Sequence, residues 1–582
     1  MSQKTLTILG LCIILLTALR IPIILSSAHN NIYSEPSDEL PHGALAKEII
    51  AGPMLPLFDY TEANAEIYEG GRLLVPISAV PFFLIFGDSF FSLKLVAVFY
   101  SLVTLIFWYI LLLRFFNLRV ALFWSLLFIL SSPFYIQVSL VTWGTHAEYL
   151  FFTALFFILF FKIFFQERLQ KTRARTWILF GILSGLSFWI TQSITLVLAV
   201  CFFLFFISDT RFFFKKPFLV YALSFLVGYS PGIYHFLTRH WQYESACRSI
   251  LTLCLIGERI VNWLPKFIKL LFIHLPQSFM FKPAILSYLY YLVFLISLFY
   301  FLWLNRKTLL KIIRFFLTPI TLKKVQINSQ DVSRELPFLL YFLFYLVIYT
   351  IGGFSIWENM VFLRYRYLLI VYPFIFVIIS FFLNKLWQWQ KKKIAIVLIC
   401  LFSFLGLYAN IGLISFRDFA SPLKEKGYSY YELGTCVSGG RTLRGLEAVL
   451  GHLRWINPQY APDFFRGVGS GVCFLSKTVN RDIRNILNLF HKIPLEYQAY
   501  LYQGWGRGLG PNELFLNNPT ATTKTFADID AAIDNKYKQS FYVGVGEGLA
   551  DIAEEKRNTF IQNTIDKKYW PWVTSGLKNA KK

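Results

Sequence analysis

Long apolar runs alternate with short polar segments over roughly the first 415 residues, and this pattern predicts a polytopic bundle of membrane-spanning helices. A helix needs about 20 apolar residues to cross the hydrocarbon core of a bilayer, so each long run predicts one span. The runs are 5–26, 89–113, 119–140, 147–165, 177–192, 193–208, 218–237, 284–304, 336–352, 366–384 and 394–414. They give about eleven spans, and only a short polar break at 191–193 divides the pair 177–208.

One apolar segment, 72–87, differs because it contains Pro76 and Pro81 and is bounded by Gly71 and Gly87. Proline removes a backbone donor and disturbs a helix interior. The pattern therefore predicts an interfacial or re-entrant segment here instead of a further span.

The composition is that of a membrane protein. Hydrophobic residues make up 56% of the 582 residues, charged residues make up 15%, and the mean hydropathy is +0.54. Soluble domains usually carry about 25% charged residues. The formal net charge of +23 does not indicate nucleic-acid binding, because the basic residues lie in short segments between apolar runs.

Loop charges predict the orientation of the spans. Basic residues concentrate in four segments that face one side: 168–175, 211–216, 306–334 and 385–393. Loop 27–71 instead holds eight acidic residues and one lysine. The N-terminus is therefore predicted to be cytoplasmic, and the segment from 417 to be periplasmic, in a protein of the bacterial inner membrane. The first run has features of a cleaved signal peptide, but its length and Arg20 favour an uncleaved anchor.

One loop, 238–283, lies outside by this count and yet is basic. Its stretch RIVNWLPKFIKLLF predicts an amphipathic interfacial helix. Adhesion to anionic headgroups and a phosphate-binding role both explain the charge.

The seven cysteines divide by compartment. Three lie in predicted spans and are interpreted as packing residues: Cys12, Cys201 and Cys400. The other four lie outside, where an oxidising periplasm allows the disulfides Cys247–Cys254 and Cys436–Cys473. No Cys/His spacing indicates a zinc site.

The segment 417–582 has fewer apolar runs and contains an internal repeat of about 40 residues. Its units begin at Tyr460, Tyr497 and Tyr537, and a helical stretch precedes each unit. Glycines recur at the same three offsets: Gly467, Gly469 and Gly471; Gly504, Gly506 and Gly508; Gly544, Gly546 and Gly548.

Periods of this size indicate stacked helices, and the recurring glycines let helices approach closely. A nucleotide-binding loop is excluded because no strand precedes the glycines and no GK[ST] follows them. The predicted fold is all-α: a membrane domain at 1–415, and an extracytoplasmic helical repeat domain at 417–582 for docking or acceptor handling.

Two acidic positions are candidates for chemistry. The pair Asp38-Glu39 is followed by the helix-compatible stretch ELPHGALAKEIIAG, which would fix the carboxylates near the membrane; a solvated acidic loop is the alternative. Glu148, two residues after His146, enters a span where a carboxylate usually faces a bundle cavity, or else stands at interface height. A carboxylate fixed beside apolar surface can act as a general base. His42 and His146 are candidate accessory residues.

Basic side chains at span ends are candidates for phosphate binding. Arg364 and Arg366 lie in FLRYRYLLIVYP at the outer interface, where guanidinium groups suit phosphate. Anchoring of the span beside neighbouring tyrosines explains them equally on local grounds. Lys94 and Arg20, near the ends of their spans, are weaker candidates.

In order along residues 1–415, these motifs resemble the GT-C superfamily of polytopic glycosyltransferases, above all the protein O-mannosyltransferase and lipid A aminoarabinose transferase group. The matching features are Asp38-Glu39 with a following A-x-x-I-x-x-G, GGRLLVPISAVPFFLIFGDSFFSLKL, SSPFYIQVS, Glu148 and RYLLIVYP. The resemblance implies a polyprenyl-phosphate-linked sugar as donor. It also implies Asp38 as base beside Glu39, Glu148 as second acid and Arg366 as a contact of the donor phosphate. The repeat and 238–283 have no counterpart in the family core.

The expected activity is transfer of this sugar to an envelope lipid, glycan or protein outside the membrane. Expected partners are membrane lipids and an envelope protein bound through 417–582. A divalent metal, Mg²⁺ or Mn²⁺, held by the acids is a candidate cofactor that two carboxylates do not establish.

Two alternatives stay open. One is a non-catalytic membrane scaffold or transporter with a periplasmic docking domain, and the other is an O-antigen-ligase-like polymerase or ligase with the same donor class. A transporter should carry charges at mid-span and a repeated membrane half, whereas the ionisable residues here cluster at span ends and in outer loops.

Overall fold

A computed structural model describes residues 2–25, 36–51, 71–87, 89–144, 146–167, 169, 172–238, 263–317, 330–351, 366–414, 430–431, 434–435, 458–478, 483–509, 519–550 and 552–580. All regular secondary structure in these residues is helical. The chain forms two compact units. The first comprises Met1–Tyr33, Glu69–Val75 and Lys94–Pro422, and the second Ser34–Tyr68, Pro76–Leu93 and Leu423–Lys582. The predicted domain boundary at 415–417 lies outside the described residues and stays a prediction.

Helices account for most of the described residues up to 412. They are Gln3–Leu25 (α1), Pro36–Ala51 (α2), Gly71–Phe86 (α3), Phe90–Phe115 (α4), Leu118–Ile129 (α5), Pro133–Ser139 (α6), Leu150–Phe161 (α7), Ala174–Ile190 (α8), Thr195–Ser208 (α9), Lys216–Gly228 (α10), Ser230–Thr238 (α11), Trp263–Lys269 (α12), Leu275–Ser278 (α13), Ala284–Leu304 (α14), Arg306–Leu317 (α15), Leu336–Ile351 (α16), Tyr372–Gln388 (α17) and Lys392–Gly412 (α18). Short 3₁₀ turns include Ala147–Tyr149 and Arg366–Val371.

The C-terminal segment is also helical where it is described. Its helices are Ala461–Thr478 (α19), Ile483–Phe490 (α20), Leu495–Leu509 (α21), Pro519–Ala532 (α22), Asn535–Gly548 (α23), Glu554–Thr564 (α24) and Trp570–Ala580 (α25). A 3₁₀ turn at Lys567–Tyr569 precedes α25.

Six helices among the described residues are long and apolar enough to cross a bilayer, so the protein is a multi-pass membrane protein. They are Gln3–Leu25, Phe91–Phe115, Ala147–Glu167, Ala284–Leu304, Tyr367–Gln388 and Lys392–Gly412. Four other predicted spans correspond to shorter apolar helices: Ala174–Ile190, Gln192–Ser208, Lys216–Gly228 and Leu336–Ile351. A helix of this length reaches about 20–25 Å, which is less than the hydrocarbon thickness of about 30 Å. The count of about eleven spans therefore stays a prediction.

The predicted span 119–140 is a bent pair, because α5 and α6 meet at 81°. Ser132 has an extended backbone and its side chain accepts from the N–H of Tyr135, while Pro133 occupies the first turn of α6. Proline cannot continue the helix of α5 and forces the preceding residue out of the helical region. The break lies in the stretch SSPFYIQVS.

Aromatic rings fill the core of the first unit. Trp108 of α4 stacks on Trp124 of α5 with ring centroids 5.2 Å apart, and Phe374 of α17 stands edge-on to Trp108 at 5.3 Å. The indole N–H of Trp124 donates to the carbonyl of Pro373 over 3.0 Å. These contacts hold α4, α5 and α17 together and satisfy the one polar atom of the Trp124 ring.

Glycines also set close approaches in the first unit. A Cβ added at Gly181 or Gly185 of α8 would overlap the backbone of α10, and one added at Gly228 would overlap α8. Small residues four positions apart are typical of tightly packed membrane helices.

In the second unit, glycines bring α19, α21, α23 and α25 side by side. Added Cβ atoms would overlap a backbone oxygen of the neighbouring helix at each of three reciprocal pairs: Gly469 with Gly504, Gly506 with Gly544, and Gly546 with Gly576. Glycines two residues apart, such as Gly504 and Gly506, point about 200° apart on a helix. One faces the preceding helix and the other faces the following one, so the G-x-G spacing serves two interfaces at once.

Other sequence expectations meet mixed outcomes. Segment 72–87 forms α3, which continues through both prolines, and its place relative to a membrane stays a prediction. Cys12 and Cys201 are buried as expected for packing residues, but Cys400 is exposed on α18. Cys247, Cys254 and Cys436, and the side chain of Cys473, lie outside the described residues.

The predicted interfacial helix at 259–272 corresponds to α12 and the π-turn that follows it. The described part begins at Trp263. Leu264 and Ile268 are exposed, and Lys266 and Lys269 lie in its last turn. Exposed apolar and basic side chains on one short helix suit a membrane interface.

Candidate active site

The chain segment between α6 and α7, residues 140–149, contains the candidates His146 and Glu148 and is called here the outer turn, after the side of the membrane predicted for it. Gly144 adopts a left-handed backbone with φ +81°, which turns the chain back toward α7. Glu148 lies in the 3₁₀ turn Ala147–Tyr149 and is fully buried. A buried carboxylate is costly in a membrane protein and usually marks function.

Glu148 closes the outer turn on itself. Its Oε2 accepts a hydrogen bond from the backbone N–H of His146 over 3.3 Å. A side chain that reaches back to an N–H at the start of a helical segment satisfies a donor that the helix leaves open. This bond holds the carboxylate in a defined direction at the beginning of the span Ala147–Glu167.

His146 links the outer turn to the segment that begins with Arg366. Its imidazole stands edge-on to Trp143 with centroids 4.9 Å apart and edge-on to Tyr367 at 5.5 Å. The carbonyl of Tyr367 accepts from the hydroxyl of Tyr345 over 2.8 Å. Two aromatic partners and 9% exposure leave the imidazole little freedom to turn.

Arg366 opens the 3₁₀ turn Arg366–Val371, so its backbone adjoins Tyr367. Its side chain lies outside the described residues, as does the whole of Arg364. The backbone of Arg366 thus adjoins a residue that contacts His146, while the phosphate-binding role of both arginines stays a prediction.

Lys94 also reaches the outer turn. Its ammonium is fully buried and donates to the carbonyl of Leu140 over 3.0 Å. The ammonium of Lys94, bound at Leu140, and the carboxylate of Glu148, eight residues further along the chain, are therefore both buried.

Arg20 has a different setting. Its guanidinium is buried and donates to Oδ1 of Asn410 and, over 3.1 Å, to the carbonyl of Ile129. Asn410 in turn donates to the carbonyl of Gly406 over 2.7 Å. These bonds join α1, α5 and α18 and give the guanidinium two neutral acceptors, while a donor-binding role for Arg20 stays a prediction.

The other candidate carboxylates lie on α2 in the second unit. Glu39 is fully buried and His42 is 6% exposed, whereas the side chain of Asp38 lies outside the described residues. The solvated-loop alternative is wrong for Glu39, because a helix carries this residue into a packed interior. Glu39 and His42 are three residues apart and share one face of α2.

No group of three His, Cys, Asp or Glu side chains within the described ranges could hold a metal ion. The outer turn supplies one carboxylate and one imidazole from this set. The described residues thus give the metal hypothesis no support.

Sequence reasoning missed the partners of the candidate residues. Trp143 and Tyr367 lie inside stretches already singled out, but nothing local indicates that Tyr367 meets His146. The attachment of Lys94 to Leu140 likewise joins residues with no shared motif.

No family model and no curated protein matches this chain. Among solved structures, the chain is similar to archaeal oligosaccharyltransferase AglB from Archaeoglobus fulgidus, in complex with an inhibitory peptide and a dolichol-phosphate. The sequence identity is 13% and the TM-score is 0.38, over 78% of this chain and 60% of that one. The chain thus spans less than two thirds of the length of that neighbour, and the likeness is too distant to establish a common fold.

Proposed function

We propose that this protein is a membrane glycosyltransferase that moves a sugar from a polyprenyl-phosphate donor to an envelope lipid, glycan or protein on the outer side of the membrane. The observation that carries the proposal is the outer turn, where Glu148 and Lys94 are buried and His146 meets Tyr367. Ionisable groups buried at the end of a membrane span are expensive and mark a site that handles a polar substrate.

The setting suits a donor of mixed character. A polyprenyl tail is soluble in the bilayer, while its phosphosugar stays at the polar interface. The arginine at position 366 is proposed to bind the phosphate, since guanidinium groups pair with phosphate oxygens through two parallel hydrogen bonds. Lys94 is proposed to add positive charge at the same end.

Asp38 is the proposed base, following the GT-C resemblance, with Glu39 beside it and Glu148 as second acid. A carboxylate takes the proton of an acceptor hydroxyl, and the acceptor oxygen forms a bond to the anomeric carbon. The bond from that carbon to the phosphate oxygen breaks, and polyprenyl phosphate leaves with the bonding electron pair. Cationic side chains stabilise the charge that grows on the leaving phosphate.

The test uses cells that carry Asp38→Asn or Glu148→Gln in place of the wild-type gene, compared with a deletion strain. Glutamine at 148 keeps an oxygen that can accept from the N–H of His146, so the turn should survive. We expect both variants to lose the glycan product seen in the profile of envelope lipids and proteins. Glu554→Gln on α24, a largely exposed carboxylate, is the matched control. A wild-type profile in both site variants, at normal protein level, would end the proposal.

A second candidate is a non-catalytic scaffold, favoured by the side-by-side helices α19, α21, α23 and α25. Such arrays present extended surfaces to partners. A scaffold would keep its function in Asp38→Asn and Glu148→Gln and lose it when the C-terminal segment is removed.

A further inference from the structure

The helix that carries Asp38 and Glu39, α2, is packed on two sides within the second unit. On one side a Cβ added at Gly43 would lie 3.6 Å from Leu93 and 3.8 Å from Phe83. On the other side Ala44 is fully buried in the apolar core that also contains Tyr430 and Phe464. Helix α2 and the C-terminal segment thus share one core.

Polar contacts fix the same face of α2 to the C-terminal segment. The hydroxyl of Tyr430 donates to Oε1 of Glu48 over 2.7 Å. The ammonium of Lys47 lies 5.8 Å from the ring centroid of Tyr430 and 5.4 Å from that of Tyr460. Both distances are within the range of cation–π attraction. Ala44, Lys47 and Glu48 are spaced three and four residues apart, as one helix face requires.

The rings that receive Lys47 belong to a recurring feature. Tyr430 stacks on Tyr460 with centroids 4.4 Å apart. Equivalent stacked pairs follow along the array: Phe465 with Tyr497, Tyr502 with Tyr537, and Tyr542 with Tyr569. Terminal units of helical arrays need a cap that covers their exposed face, and α2 meets the array at the Tyr430–Tyr460 pair.

We propose that the C-terminal segment positions α2, with Lys47, Glu48 and Tyr430 as positioning residues for the reaction. The inference rests on the proposed function, because the contact can serve the reaction only if the carboxylates of α2 act on the substrate. Glu39 and His42 lie within three turns of Lys47 on the same helix, so a tilt of α2 moves them together. A misplacement of about 1 Å at a reacting group can cost about a hundredfold in rate.

Two measurements on the full-length protein test this. The first is hydrogen exchange of the peptide 36–51, which reports on α2 whatever the activity is. The second is the glycan profile of cells that carry each variant. The disruptive variants are Tyr430→Phe, Glu48→Ala and Lys47→Met. The conservative variants are Glu48→Gln, which keeps an acceptor for the Tyr430 hydroxyl, and Lys47→Arg, which keeps a cation over the rings.

Tyr569→Phe is the matched control. Tyr569 also belongs to a stacked pair and donates to a carboxylate, Oδ2 of Asp530 over 3.2 Å, but at the other end of the array. We expect Tyr430→Phe and Glu48→Ala to speed exchange in 36–51 about tenfold, as expected for loss of a hydrogen bond to a charged group. Lys47→Met should speed it about threefold through loss of cation–π attraction, and all three variants should deplete the glycan product. The conservative variants and Tyr569→Phe should do neither.

The outcomes separate the two proposals. Unchanged exchange in all three disruptive variants overturns the contact itself. Faster exchange with a wild-type glycan profile, while Asp38→Asn abolishes the product, overturns the positioning role and leaves the proposed function standing. A wild-type profile in both Asp38→Asn and Glu148→Gln overturns the proposed function and the positioning role with it.

Discussion

The imidazole of His146 stands edge-on to the phenol ring of Tyr367, with centroids 5.5 Å apart, although the two residues are far apart in the sequence. This contact joins the outer turn to the 3₁₀ turn that begins with Arg366. The carbonyl of Tyr367 is itself held by the hydroxyl of Tyr345. One aromatic contact therefore links a histidine beside the candidate acid Glu148 to the backbone of the candidate phosphate ligand.

Removing the ring at 367 should loosen this link. We expect Tyr367→Ala to lower the free energy of unfolding and to reduce the glycan product. About 1 kcal/mol of the lost stability should come from the aromatic pair, in addition to the loss from the smaller buried apolar area. Tyr367→Phe keeps the ring and should resemble the wild type in both thermal unfolding and glycan profile. Tyr408→Ala, which removes an exposed ring on α18, is the control. Equal product from Tyr367→Ala and the wild type would show that the link does not serve the reaction.

The elements of the fold were predictable where their signal is local. Apolar runs are properties of neighbouring residues, so the long helices α1, α4, α14, α17 and α18 lie where the runs predict them. Pro133 after two serines is a local signal for the break between α5 and α6. Because apolar residues continue on both sides of it, the sequence pattern predicts one span over 119–140. The glycine spacing likewise indicates close packing on both sides of each helix, because residues two positions apart on a helix point to nearly opposite faces.

The candidate site was predictable only as separate pieces. Glu148 and Arg366 stood out because a carboxylate that enters a span usually faces a cavity and a guanidinium at the membrane interface suits phosphate. Their surroundings depend on long-range pairs such as His146 with Tyr367 and Lys94 with Leu140, which no local pattern encodes. The contact of Lys47 with Tyr430 is of the same kind. Periodicity along a single chain carries no information on which distant segment supplies the partner.

The reciprocal glycines of α19 and α21 should tolerate no side chain. A Cβ at Gly469 would overlap the carbonyl oxygen of Leu501, and one at Gly504 would overlap that of Arg466, so backbone must move. We expect Gly469→Ala and Gly504→Ala each to cost about 3 kcal/mol, at the upper end for overpacked cores, and to open the C-terminal segment to limited proteolysis. Gly10→Ala is the control, because nothing lies within 4 Å of an added Cβ there. Wild-type protease resistance in both array variants would mean that the helices are farther apart than described.

The buried bonds of Arg20 predict a coupling between α1 and α18. Arg20→Met and Asn410→Leu each remove one partner of a hydrogen bond inside the first unit. We expect the double variant to be destabilised by less than the sum of the two single variants. The difference, the coupling energy, should be about 1–3 kcal/mol. Thermal unfolding of the purified proteins in one detergent measures it. Additive effects, together with a glycan defect confined to Arg20→Met, would instead favour a phosphate-binding role for Arg20.

Glu547 on α23 predicts a pH-dependent stability of the C-terminal array. Burial raises the pKa of its carboxyl above the ordinary value, and the hydrogen bond from Gln503 and the charges of Arg507 and Arg466 oppose that rise. Its Oε1 accepts from Nε2 of Gln503 over 2.7 Å. The folded state therefore binds the proton more tightly than the unfolded state does. Between the unfolded and the folded pKa, folding takes up a proton, so the free energy of unfolding falls as the pH rises through that window.

Glu547→Gln removes the titration and keeps an oxygen that accepts from Gln503. We expect this variant to melt at a higher temperature than the wild type at pH 7 and to lose that advantage as the pH falls through the raised pKa of the folded state, below which Glu547 is protonated. Melting curves of both proteins across this range measure the difference, with Glu554→Gln as the exposed control. A difference between wild type and Glu547→Gln that stays constant with pH would show that the carboxyl does not titrate with folding. A larger advantage at low pH would mean that Arg466 and Arg507 outweigh burial and lower the pKa instead.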